Sequence, residues 1–394
     1  MDRQTVIQTR IKKFQAKMEE AGLNLAVVSR SVNVFYFTDF NPLNFSMASY
    51  VLIPAKGEAC LLLNAIRGPR SNELSGLRNI KLYGKWSDNP SVAKDAYEAI
   101  RIIGRSYQLG ELKIGSDLGS LTYTAYLKIC EALEVKELTD IGGLIDDEKT
   151  IKDELAIDRM RKAAVIGNAG MDKMIAELRA GATEAAAVME AKYTMQKVWL
   201  EKFSEYDVTG FGSPEASIQD MLTATCSSGV RTSYGAESAR NIVPAKGDLV
   251  LPIIIAKLGG YSIENERSLY VDHLDDYRMK VFETVIEARE NVFRAIRPGK
   301  TFAELYQEAK TVFERNGFGD FLPGRIGHGI GMTGHEHPSV APAYKVPLQP
   351  GMVFTVEPGL MSAKFGGVRP SDTVLVTETG YELLTDTENG ILKM

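Results

Sequence analysis

Gly327-His-Gly-Ile-Gly-Met-Thr-Gly-His-Glu-His-Pro338 holds three of the four histidines of this chain, His328, His335 and His337, spaced among four glycines. Glycine lets backbone and side chains approach a ligand closely, and histidine changes charge near neutral pH, so scarce histidine set in glycine points to a proton-transfer or metal site. Downstream, Met352-Val-Phe-Thr-Val-Glu-Pro-Gly359 reads as an apolar strand closed by Glu357, and a carboxylate ending a core strand needs a partner. In Gly366-Gly-Val-Arg-Pro-Ser-Asp372, Arg369 is either an anion clamp or the partner of Asp372. Upstream, in Tyr261-Ser-Ile-Glu-Asn-Glu-Arg-Ser-Leu-Tyr270, strand alternation puts Glu264 and Glu266 on one face and Arg267 on the other. Two like charges on one face need a cation, a metal or a shared proton between them, unless the face is simply solvated. His273, in Val271-Asp-His-Leu-Asp-Asp276, reads as a surface turn.

Outward from these stretches the chain divides in two. Ile7, Ile11, Phe14 and Met18 recur on one helical face, and Gly22 stops the helix. Apolar runs at Leu25 to Val28, Tyr50 to Ile53 and Cys60 to Leu63, a helix around Ala93 to Ile103 and a strand at Lys113 to Ser116 predict a small α/β domain over residues 1–148. The charged crossing Asp146-Asp-Glu-Lys-Thr-Ile-Lys-Asp-Glu154 marks the boundary. Over residues 149–394, helix pairs near 153–179 and 183–201, then 276–297 and 302–316, are each followed by strands. The second helix of each pair follows Gly181-Ala-Thr183 or Gly299-Lys-Thr301, where Thr caps it and Glu184 or Glu304 meets the helix dipole. The repeated order suggests an internal duplication and predicts an α+β domain with a curved antiparallel sheet under helices.

Composition bounds the function. With 46 Lys+Arg against 51 Asp+Glu the net charge is −5, which argues against general nucleic-acid binding. Cys60, Cys130 and Cys226 are widely spaced and odd in number, favouring a reduced, cytoplasmic setting over a disulfide framework. The longest apolar run, Leu249 to Ala256, is too short to span a bilayer, and no secretory leader opens the sequence.

In order and spacing, Gly327-His-Gly-Ile-Gly331, Met352-Val-Phe-Thr-Val-Glu-Pro-Gly359 and Gly366-Gly-Val-Arg369 with Asp372-Thr-Val-Leu-Val-Thr377 resemble the motifs of the pita-bread (M24-type) hydrolases. Gly247-Asp-Leu-Val-Leu251 and Gly260-Tyr261 match the strand motif ahead of them. That family includes Xaa-Pro dipeptidases and aminopeptidases, methionine aminopeptidase and creatinase. The resemblance implies a pita-bread catalytic domain, a creatinase/prolidase-type N-terminal domain and a homodimer. In the peptidases two Asp, one His and two Glu hold two metal ions; the matching positions here are Ile253, Glu264, His328, Glu357 and Ser371. Isoleucine cannot donate to a metal and a serine hydroxyl poorly replaces a carboxylate, so no dinuclear centre is expected, although three N/O donors suffice for one zinc. Pro252 beside Ile253 predicts a bulge in that strand.

Creatinase is the metal-free member, and Glu266-Arg-Ser-Leu-Tyr270 resembles its Glu-Arg-Thr-Leu-Phe, whose Glu holds the guanidinium of creatine. Glu357 matches its second guanidinium-binding carboxylate, and His328 and His335 have counterparts there. Its catalytic base falls on Gly235-Ala-Glu-Ser238, where Glu237 is the available replacement; a further His falls on Ser371, and its N-terminal arginine has no match in Asn44-Phe-Ser-Met-Ala-Ser49. The leading expectation is therefore a metal- and cofactor-independent hydrolase of a C–N bond in a small cationic guanidino, amidino or amide compound. His328 moves the proton, Glu266 and Glu357 hold the cation, and Glu264, His335, Arg369 and Glu237 line the substrate. The alternatives are a metal-dependent Xaa-Pro dipeptidase or aminopeptidase with a reduced metal site, and a catalytically inactive pita-bread module that binds a peptide or partner protein.

Overall fold

The computed structural model describes residues 2–43, 47–110, 113–211 and 220–394, so part of the Asn44–Ser49 segment lies outside the described residues. The chain folds as two compact units, one centred on Met1–Lys149 and the other on Thr150–Thr209 with Asp220–Met394.

The first unit is α/β. Helix α1 (Arg3–Glu20) starts on the Asp2 side chain, and its buried face carries Ile7, Ile11, Phe14 and Met18. Strands β1 (Leu25–Val28), β2 (Tyr50–Pro54), β3 (Cys60–Asn64), β4 (Ile80–Tyr83), β5 (Ile114–Ser116) and β6 (Thr139–Asp140) form one sheet in the order β4-β3-β2-β1-β5-β6. Short helices α2 (Ser31–Thr38), α3 (Gly68–Leu74), α4 (Ala96–Ser106), α5 (Tyr123–Leu133) and α6 (Gly142–Thr150) connect or cover it. The charged crossing is helical for most of its length rather than a loop: Lys149 is buried because Asp146 and Asn33 satisfy its ammonium.

The second unit is α+β. Helices α7 (Glu154–Arg179) and α8 (Glu184–Lys202) precede β7 (Leu222–Ser228), β8 (Leu249–Leu258), β9 (Tyr261–Glu266) and β10 (Leu269–Tyr270). Helices α9 (Asp276–Ala295) and α10 (Phe302–Arg315) precede β11 (His328–Gly329), β12 (Glu336–Ser339), β13 (Val353–Val356), β14 (Leu360–Ser362), β15 (Gly366–Val368), β16 (Ser371–Val376), β17 (Tyr381–Leu383) and β18 (Leu392–Lys393). The main sheet runs β12-β11-β13-β16-β9-β8-β10-β18, with β7 on β8 and β17 on β16; among the described residues only its β10–β18 pair is parallel. Helix α7 packs on β8 and β9 and α8 on β7, while α9 packs on β13 of the main sheet and on β15 of the separate β14–β15 ribbon, with α10 against α9. Helix α10 begins with a full capping box in which Thr301 and Glu304 satisfy each other's backbone.

Pro252 does not bulge its strand. Against β7 the register runs without a break from Leu222↔Ala256 to Ser228↔Val250, and the Pro252 carbonyl takes the Arg267 N–H. Nor does Asp372 pair with Arg369. Burial would raise the Asp372 carboxyl, but the Arg267 and Arg289 guanidinium groups outweigh that and hold it below the usual range. Arg267, fully buried, also donates to the Glu266, Ser371, Thr385 and Glu388 carbonyls, tying β9 and β16 to the C-terminal segment.

Asp372→Ala should thus leave two buried guanidinium groups short of their anion and lower unfolding stability by about 3–5 kcal/mol. Thr301→Ala, which removes only the cap, should cost about 1 kcal/mol. Urea unfolding midpoints of the two variants against the parent protein check both values, and near-equal shifts would deny Asp372 this role.

Candidate metal centre

The sheet brings the acids and His328 together by register. Ile253 on β8, Glu266 on β9 and Ser371 on β16 lie side by side across three neighbouring strands. Glu264, two residues from Glu266, projects from the same face, where its carboxylate accepts the Ser371 hydroxyl at 2.8 Å. Thr373 fixes the Glu264 backbone from both sides, accepting its N–H and donating to its carbonyl. His328 enters on β11. Gly327 before it must be glycine, since a Cβ would stand 2.0 Å from the Thr355 carbonyl oxygen. The His328 N–H is held by the Thr355 hydroxyl. Glu357 follows β13 directly, its own N–H bonded to the Ile326 carbonyl.

Nδ1 of His328 lies 3.0 Å from the Gly329 carbonyl, which can only accept, so Nδ1 carries the proton and Nε2 presents a lone pair. That lone pair faces Glu357 Oε1 at 3.4 Å and Glu264 Oε2 at 3.8 Å. Three acceptors converge with no proton donor among them, an arrangement that is repulsive until a cation or proton enters. A tetrahedral ion with bonds near 2.0–2.2 Å separates its donors by roughly 3.3–3.6 Å. The donor atoms of Glu264, His328 and Glu357, all buried, lie within 4.8 Å of one another, a group that could hold one such ion once drawn in on it. The carbonyl on Nδ1 is the outer-shell partner that fixes the tautomer of a ligating histidine.

Electrostatics agree with the geometry. Burial, then the neighbouring Glu266 and Glu357 charges, push the Glu264 carboxyl well above its usual range, against the pull of the Ser371 hydroxyl and Arg369. Burial likewise raises Glu357, opposed by Arg369 and Arg325. Burial lowers His328 to about 4, so the imidazole is neutral at pH 7. The His335 ring lies over His328 with centroids 4.2 Å apart. It is shifted in the same direction by partial burial and by His328, Arg325 and Arg369.

Glu266 is placed otherwise than expected. Its two oxygens take Arg369 Nη2 at 2.6 Å and Nε at 2.7 Å, a bidentate pair, and Arg369 Nε stands 3.9 Å from Glu357. The planar cation that Glu266 and Glu357 were expected to bind from a substrate is therefore the chain's own Arg369. Glu237 turns back on its own segment, accepting the Ser238 N–H. His273 sits in an exposed turn beside Asp272.

Glu357 and Arg369 open onto a cleft of about 650 Å³ walled by Phe321, Tyr344 and Met361, with Arg325 on its rim. Arg325 had no signal in the sequence, being a lone arginine in a loop. Ser371 was legible as a poor ligand but not as the donor that holds Glu264. The loop carrying His335 is braced from below: Lys257 donates to the Met332 carbonyl and Lys152 pairs with Glu336 at 3.0 Å. Burial lowers the Lys257 ammonium to about 8. On the other side, the 3₁₀ turn Gly229–Tyr234 leads to Gly235, whose carbonyl accepts Arg369 Nη2 at 3.2 Å. Glu184, fully buried rather than only facing a helix dipole, gathers Ser228, Arg231 and the Arg240 N–H to hold that turn. The three cysteines are buried free thiols, and no helix among the described residues is long and apolar enough to cross a membrane.

Residues 158–378 match the metallopeptidase family M24, and residues 10–148 match the creatinase/prolidase N-terminal domain. The Xaa-Pro dipeptidase of Pyrococcus furiosus is 28% identical over 386 residues, covering 98% of this chain and 100% of that protein. The prolidase structure from Pyrococcus furiosus superposes with a TM-score of 0.76 at 27% identity, over 95% of this chain and 99% of that one. An Xaa-Pro dipeptidase structure from Bacillus anthracis superposes with a TM-score of 0.82 over 98% of this chain and 100% of that one; at 23% identity it speaks to the fold alone. These relatives overturn the creatinase-like, metal-independent reading, and the occupied Glu266–Arg369 pair gives the physical reason: no guanidinium-binding carboxylate pair is left vacant.

Because Glu264 and Glu357 keep their protons to higher pH than ordinary carboxylates, an ion must displace carboxyl protons, whereas His328 has already lost its own. Zinc or manganese affinity should rise with pH above the usual carboxylate range and release protons, as calorimetry in two buffers of different ionisation enthalpy would record. Ser371→Ala, which removes the donor to Glu264, should weaken ion binding by about ten- to a hundredfold. Affinity independent of pH and of Ser371 would refute this account.

Proposed function

The chain belongs to metallopeptidase family M24, and from that membership we propose that it is a hydrolase of the Xaa-Pro dipeptidase type, working with one divalent ion held by Glu264, His328 and Glu357. The observation that carries this reading is the convergence of two buried carboxylates and an imidazole lone pair without a donor between them. A divalent ion bound there supplies electrophilic activation of a carbonyl and of water.

The chain's own residues do the rest. Ser371 orients Glu264, and the Gly329 carbonyl orients His328, so both donors already face the place of the ion. His335, whose ring lies over that of His328, is the imidazole next to the three donors and the chain's candidate for moving a proton there. Phe321, Tyr344 and Met361 form an apolar wall that suits a pyrrolidine ring and excludes water from it. Arg325 on the rim forms no ion pair among the described residues and suits the terminal carboxylate of a short peptide. The substrate class is thus a dipeptide with a free C-terminus.

Exhaustive chelation should abolish turnover of Xaa-Pro dipeptides, and zinc, manganese or cobalt should restore it. Arg325→Ala should raise KM for the free dipeptide by about ten- to a hundredfold, the worth of a charge-assisted hydrogen bond of about 1.5–3 kcal/mol. KM for the corresponding dipeptide amide should hardly change. Turnover that survives chelation would end the metal-dependent reading; equal effects on acid and amide would remove Arg325 from substrate binding.

A further inference from the structure

The site holds three buried carboxylates, Glu264, Glu266 and Glu357, beside His328, whose Nδ1 is turned to the Gly329 carbonyl and whose Nε2 faces Glu264 and Glu357. Fully ionised, they carry three negative charges in a place where water cannot screen them. Arg369 returns one positive charge through its bidentate bond to Glu266 and its approach to Glu357. Two negative charges remain, the charge of one divalent ion. Arg267 on the other face of the sheet and Arg289 from α9 are both taken up by Asp372.

Register says where the Arg369 guanidinium stands. Glu266 lies between Ile253 and Ser371, the two positions that cannot serve as ligands. Its carboxylate could have helped to hold a second ion, yet both its oxygens are already hydrogen-bonded to Arg369. The Gly235 carbonyl accepts Nη2 and the Ser268 hydroxyl accepts the Arg369 backbone N–H, so the cation is part of the fold and not a loose surface arginine.

We infer that the Arg369 guanidinium, clamped by Glu266, is a built-in second cation: it limits the site to one divalent ion per chain and neutralises Glu266 in place of another metal. This rests on the single-ion reading above. Arg369 is a positioning residue, acting through Glu266 and Glu357 on the charge that the ion meets.

The test is ion stoichiometry, read by native mass spectrometry and calorimetry with manganese or zinc in excess at mildly alkaline pH. The parent protein and Arg369→Lys, which keeps the charge, should bind one ion per chain. Arg369→Met, which removes it, should bind a second ion. Glu266→Gln combined with Arg369→Met removes both charges and should return to one, which also shows that loss of the arginine has not unfolded the site. Two ions on the parent protein, or one on a folded Arg369→Met variant, would overturn the inference while leaving metal dependence intact. No ion on the parent protein would overturn the single-ion reading itself and this inference with it. Should Arg369→Met fail to fold, the parent stoichiometry and that of Arg369→Lys still decide, since two ions on either would exclude a built-in second cation.

Discussion

Three carboxylates cannot be buried side by side in ionised form unless cations are buried with them. Much of the second unit answers that constraint. The sheet sets Glu264 and Glu266 on one face of β9, β13 delivers Glu357 to the same place, and the compensating charge comes from Arg369 just before β16. Because Arg369 must stand still to do this, the chain holds it by the Gly235 carbonyl, and holds that turn by burying Glu184 with Arg231. A glycine at 367 lets the turn come close enough: a Cβ there would meet the Thr232 carbonyl at 2.2 Å. What looks like scattered polar burial is one electrostatic arrangement reaching from α8 to the site.

The opposite face obeys the same rule with the signs exchanged. There one carboxylate, Asp372, lies between two guanidinium groups, and Arg267 passes its remaining donors to backbone carbonyls. Alternation along two adjacent strands separates the systems: Glu266 and Ser371 point one way, Arg267 and Asp372 the other. The sheet therefore separates two charge clusters of opposite sign, the carboxylate-rich ligand face and the guanidinium-rich face around Asp372.

Much of this was legible in the residues. The helical face of Ile7, Ile11, Phe14 and Met18, the Thr183 and Thr301 caps and the strand alternation of Glu264 and Glu266 follow from local periodicity, which one sequence shows directly. The glycine-set His328 and the strand-ending Glu357 stood out because a charge placed where chain should be apolar or tightly turned has few bland explanations. The partner of Glu266 was hidden, since it comes from a residue more than a hundred positions away and depends on cross-strand register. Taking Glu266 as open to a substrate cation leads to the creatinase-like expectation; locating Arg369 removes the basis for it. Ser371 carries the same lesson: at a lost ligand position it reads as a vacancy, whereas in space it is a hydrogen-bond donor to a neighbouring ligand.

The two lysines that hold the His335 loop bear on how the segments around the ligands are kept in place. Lys257 grips the Met332 carbonyl from the sheet and Lys152 grips Glu336, so this segment is bolted down at both ends of a short span. A segment anchored in this way holds the His335 ring against His328. The segment that carries Phe321 and Arg325 into the cleft lining is tied differently, by the Tyr306 hydroxyl to the Pro323 carbonyl, so an ammonium holds one segment near the ligands and a neutral phenol holds the other; the first tie is open to weakening by alkaline pH and the second is not.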